Sequence, residues 1–86
     1  MKMVIVTLSH STAGSEISYD MEMPTQIAVK PLTSHICQTL SHYTENRIQP
    51  DPAGKKLWCR RLERILSPNE TLEDAGIWNG DHLELR

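Results

Sequence analysis

Thr71-Leu72-Glu73-Asp74-Ala75-Gly76-Ile77-Trp78-Asn79-Gly80-Asp81-His82-Leu83-Glu84-Leu85-Arg86 packs a helix start, a helix stop, a turn and a strand into sixteen residues. Thr71 and Asp74 have the spacing of a capping box, in which the threonine side chain accepts from the N–H three residues on and the acid reaches back. Gly76 then permits only one helical turn, because glycine takes the left-handed conformation that ends a helix. Ile77 points back toward a core. Asn79-Gly80 is a strong turn signal, and residues 81–86 alternate as a strand with Leu83 and Leu85 inward.

Upstream, Ser67-Pro68-Asn69-Glu70 reads as a turn, Arg64-Ile65-Leu66 as a short fourth strand, and Lys55-Lys56-Leu57-Trp58-Cys59-Arg60-Arg61 as a third. Residues 46–54, with Pro50, Pro52 and Gly54, form an irregular connection. Before it, Pro31 suits a first helical turn, and Leu32, Ile36 and Leu40 recur at helical spacing with Cys37 beside them. One amphipathic helix over about residues 30–43 follows, with Ser34, His35, Gln38, Ser41 and His42 on its wet face. Residues 16–23 alternate strictly, Ile17, Tyr19, Met21 and Met23 against Ser18, Asp20 and Glu22, so they predict a half-buried strand ended by Pro24. Residues 9–15 are small and polar, which predicts a hairpin loop carrying His10. Residues 1–8 are apolar on both parities, as in a central strand antiparallel to the next.

With 86 residues the chain is expected to form a single domain over 1–86. Hydrophobic residues make up 38% and charged residues 23%, which excludes a disordered or membrane-embedded class. Nine basic against eleven acidic residues give a net charge of −2, unlike a dedicated nucleic-acid binder. The apolar start gives way at Ser9, too soon for a signal segment or a span, so a cytoplasmic protein is expected. Cys37 and Cys59, 22 positions apart with no C-x-x-C, exclude zinc-ribbon and ferredoxin ligation and read as reduced, buried thiols. Neither a metal nor a cofactor is expected. The four histidines, His10, His35, His42 and His82, show no spacing that assembles a nucleophile, base and orienting group, so no catalytic residue is assigned and the chain is not read as an enzyme.

The order of strand, hairpin, strand, helix, two strands, short helix and last strand is that of the β-grasp. The residues also resemble ubiquitin, from Met1 to Leu8 with their closing Thr-Leu and again from Leu66 through Thr71-Leu72, Asp74 and Ile77 to Leu83 and Leu85. Thr-Leu-Glu-Asp-Ala-Gly-Ile with Gly80-Asp81 before the last strand is more specifically similar to the YukD/EsaB group of bacterial type VII (WXG100/ESX) secretion. It is also similar to the ubiquitin-like cytosolic domain of EccD. The resemblance implies an α+β fold, a mixed sheet of four to five strands packed on one helix plus a helical turn near Thr71–Ala75. It further implies a cytosolic accessory or regulatory component of such a secretion system. Ubiquitin and sulfur carriers use a Gly-Gly tail, whereas Arg86 lies in the last strand here. If Arg86 is the native terminus, conjugation and sulfur transfer are excluded; a modifier lacking its tail and an adaptor outside secretion are the alternatives. Leu62-Glu63 stand where this group often has glycines.

Protein binding is the expected activity. If Leu57 and Cys59 face the core, Trp58 stands outside among Lys55, Lys56, Arg60, Arg61 and Arg64; if Trp58 goes in with Leu62, it is core. The first placement is favoured, because Leu and Cys are the more often fully buried types. The candidate surface then comprises Trp58, Lys55, Lys56, Arg60 and Arg61, with Val4 and Val6 of strand one, Trp78 at its turn, and Arg86. The partners expected are proteins, such as secretion-machinery components or substrates. The basic run beside Trp58 also suits RNA or DNA, but the acidic remainder of the chain favours a solvated charged face.

Overall fold

The structure, a computed structural model, describes residues 2–12 and 14–86. The capping box and the glycine stop form as the sequence dictates. Thr71 accepts from the Asp74 N–H at 3.0 Å, Asp74 accepts from the Thr71 N–H at 3.3 Å, and Gly76 closes the turn at φ 73°. The elements in chain order are β1 (Met3–Thr12), β2 (Ser15–Pro24), α1 (Val29–Tyr43), β3 (Leu57–Cys59), β4 (Arg64–Ile65), α2 (Leu72–Ala75) and β5 (His82–Leu85).

They form one five-stranded mixed sheet in the order β2-β1-β5-β3-β4, the β-grasp arrangement. β1 is antiparallel to β2 and parallel to β5, while β3 is antiparallel to both β5 and β4. Leu32, Ile36, Cys37 and Leu40 of α1 cluster with Leu8, Met23, Leu57, Cys59, Leu83 and Leu85 from the sheet, so the core lies between the helix and one sheet face. Both cysteines are free and buried, as expected.

Three expectations need correction. β1 runs on through Ser9, His10, Ser11 and Thr12, which pair with Ser18, Ile17, Glu16 and Ser15; the expected loop over 9–15 shrinks accordingly, its Ala13 lying outside the described residues, as does Met1 of the expected first strand. His10 is therefore a strand residue, 7% exposed, with Nδ1 3.2 Å from the Leu85 carbonyl oxygen. The third strand keeps only Leu57, Trp58 and Cys59, because residues 60–63 turn, with Glu63 in the left-handed region at φ 52°. Val4 and Val6 belong to the core at 5% and 0% exposure; it is Ile5, on the opposite parity, that faces outward at 52%.

Candidate functional site

Leu57 and Cys59 are completely buried, and strand alternation therefore puts Trp58 on the sheet face away from α1. Its cross-strand neighbours are Glu84 of β5 and the exposed Ile65 of β4. The Arg86 guanidinium carbon sits 4.2 Å from the Trp58 ring centroid, and one of its nitrogens lies 3.3 Å from Glu84 Oε1. Nε and Nη2 both donate to Glu84 Oε1 at 3.3 Å, so the arginine is held over the indole with its Nη1 donors left for a partner. Arg60 begins the turn after β3, its N–H donating to the His82 carbonyl, and its side chain is exposed.

A second tryptophan–arginine stack stands at the other end of β5. Trp78 is 63% exposed, and the Arg61 guanidinium carbon lies 3.9 Å from its ring centroid. Arg61 commits three of its five N–H donors within the chain: Nε donates to Asp81 Oδ1 at 2.8 Å, and Nη2 donates to Asp81 Oδ2 at 3.0 Å and to the Gly76 carbonyl at 2.7 Å. The Trp78 N–H also donates to Asp81 Oδ2. Hydrogen bonding from Arg61, above all, holds the Asp81 carboxyl below its ordinary value of 3.8, against the opposing effect of burial. Arg61 thus orients Trp78.

The structure accordingly divides the candidate residues. It brings Trp58 and Arg86 together on one sheet face, with the exposed Arg60 two residues beyond Trp58. It places Trp78 and Arg61 elsewhere, held together with Asp81 in the turn that precedes β5. It withdraws Val4 and Val6 into the core, ties Arg64 to Glu70 at 2.8 Å, and sends Lys55 and Lys56 to a groove on the helix side. Ile65 and Ile5 are outer-face apolar residues that sequence reasoning did not single out. The cross-strand pairing of Ile65 with Trp58 depends on a turn of non-glycine residues, and Ile5 sits in a run apolar on both parities.

On the same face Ser9 Oγ lies 2.8 Å from His82 Nε2. Ser9 is itself buried, and no carboxylate bonds the other ring nitrogen among the described residues, so the pair lacks the orienting group that a general base requires.

The sequence matches the family model described as "WXG100 protein secretion system (Wss), protein YukD" over residues 3–85. A search among curated proteins found no match. Among solved structures, the ubiquitin-like domain of the type VII secretion protein EccD1 from Mycobacterium tuberculosis is similar at 20% identity and a TM-score of 0.72, with 99% of this chain and 98% of that chain covered. The EccD5 ubiquitin-like domain from Mycobacterium xenopi gives 14% identity and a TM-score of 0.77 over 100% of this chain and 94% of that one. A chain of the MycP5-free ESX-5 inner membrane complex gives 19% identity and a TM-score of 0.73, with 98% of this chain but only 20% of that chain covered. At such identities these likenesses show the fold, a ubiquitin-like β-grasp. The family-model match, which spans Met3 to Leu85, shows more: this chain belongs to the YukD family of the WXG100 protein secretion system.

Proposed function

We propose that this chain is a protein-docking module on the cytosolic side of a WXG100 secretion system and that it binds through the outer face of its sheet. The observation that carries the reading is Trp58, turned out of the core and capped by Arg86, with Ile65 beside it. Trp and Arg are the side chains that most often dominate binding energy, and here they are held in place before a partner arrives. Arg86 stacks on the indole and the exposed Arg60 follows two residues on, so the partner surface that fits is an apolar residue beside carboxylates. Family membership directs the search for that partner to the secretion machinery and its substrates. No catalytic step is assigned to the chain; binding is its activity.

The test is capture of purified cytosolic domains of the system's ATPase, and of its WXG100 substrates, by the intact chain. Trp58→Ala and Arg60→Glu together are expected to weaken capture at least about tenfold, with the circular dichroism spectrum unchanged because both side chains lie outside the core. Undiminished capture by the folded double variant rejects the sheet face as the docking surface.

A further inference from the structure

A concavity lies away from Trp58, where the first turns of α1, residues 52–56 and the stretch from Leu66 to Pro68 meet around an open groove of about 530 Å³. Val29 and Leu66, both buried in the core, form its apolar floor, and Pro52 and Pro68 its walls. Three lysines line it, Lys30, Lys55 and Lys56. The ion pairs among the described residues are Arg61–Asp81, Arg64–Glu70 and Arg86–Glu84, and none includes these lysines. The adjacent carboxylate, Asp51, is used by its own loop, where Oδ1 accepts from the Ala53 N–H at 2.9 Å. Three lysines thus share one concavity whose lining includes no carboxylate, which makes it locally positive on a chain of net charge −2.

The donors define what can bind. The first backbone donors of α1 are already spent: Val29 N–H on the Glu70 carbonyl, Lys30 N–H on the Pro68 carbonyl and Leu32 N–H on the Ala28 carbonyl, while Pro31 has none. Thr33 directs its hydroxyl to the Val29 carbonyl. The charged donors left to an anion are ammonium groups on flexible stems, which act as point charges and do not enclose a small ion. A segment with several carboxylates engages the lysines at once, and an apolar residue among them covers the Val29–Leu66 floor.

We propose that this groove is a second docking surface, for an extended acidic segment of a partner protein with an apolar side chain among its carboxylates. It is separate from the sheet face and stands or falls independently of it.

The test titrates the ¹⁵N-labelled chain with the peptide Ac-Asp-Glu-Leu-Asp-Glu-NH₂, with inorganic phosphate and the Lys-for-acid counterpart as control probes. The expected result is amide shifts confined to residues 29–34 and 53–56, lost at about 0.5 M salt and absent with the basic peptide. Lys30→Gln with Lys55→Gln is expected to weaken the effect about tenfold, and Trp58→Ala to leave it intact. The charge-neutral pair avoids added repulsion, and a thermal melt verifies that it folds. Shifts centred on Trp58, Glu84 and Arg86, equal shifts with phosphate, or an unaltered response from the folded lysine variant would each overturn the assignment. So would groove shifts that grow with protein concentration alone, which would mean that a second copy occupies it.

Discussion

Asp81 shows how much one buried carboxylate organises. It takes two hydrogen bonds from Arg61 and one from the Trp78 backbone, and through them fixes the position of an exposed indole. Its depressed pKa has a definite consequence for stability. A carboxyl whose folded pKa lies below its ordinary 3.8 stabilises the fold fully above that value and loses the contribution as pH falls through the folded pKa. Asp81→Asn is therefore expected to lower the urea midpoint at neutral pH, and the gap to the parent chain is expected to narrow only as the pH falls below the ordinary carboxyl value of 3.8. A gap that persists unchanged into acid would mean that the charge of Asp81 contributes nothing. None of this is legible in sequence, since Arg61 and Asp81 meet only because the turn after β3 lies against the start of β5. Trp58 is the opposite case: its outward placement follows from the burial preference of Leu57 and Cys59, and the structure has it so. Val4 and Val6 were misplaced because residues 3–6 are apolar on both parities, and only pairing with Met23 and Met21 decides which set goes in.

Elements with local signals are legible; those defined by partners are not. The capping box, the Gly76 stop and the Asn79-Gly80 turn each act within a few residues, and all three form. Helix α1 falls within a residue of its expected start, because the Leu32, Ile36 and Leu40 spacing has no competing strand reading. β1 was expected to stop at Leu8, since Ser9 to Thr12 look like loop residues. They extend the strand because β2 and β5 supply partners on both sides, with Ser9 opposite Glu84 and His10 opposite Leu85. The short α2 matters beyond its own turn: Thr71 bridges to Ala28, and the Val29 N–H donates to the Glu70 carbonyl, so its cap abuts the start of α1. Thr71→Ala is expected to cost about 1 kcal/mol, measured by urea unfolding. Thr71→Ser should recover most of that loss, because serine offers the same acceptor to the Asp74 N–H.

At the scale of the molecule, the two strands furthest apart in sequence lie side by side. β5 occupies the middle of the sheet, parallel to β1 on one side and antiparallel to β3 on the other. No hydrophobic period announces such a pairing; it was legible only through the resemblance of both ends to ubiquitin. Without β5 the sheet separates into β2-β1 and β3-β4, and the core loses Leu83 and Leu85, both buried. The β3-β4 pair that remains joins three residues to two, far below what holds together alone. The total stability of a chain this size is about 4–13 kcal/mol. Losing two buried leucines, at about 2–5 kcal/mol each, together with their ladders, is enough to consume it. A chain shortened before Leu83 is therefore expected to lose its cooperative thermal transition and to show no slowly exchanging amides in β1. The parent chain should protect β1 and β5 most and residues 46–56 least. A sigmoidal melt from the shortened chain, with β1 amides still protected, would show that β1, β2 and α1 fold without the central strand and that the sheet is assembled in two separable halves.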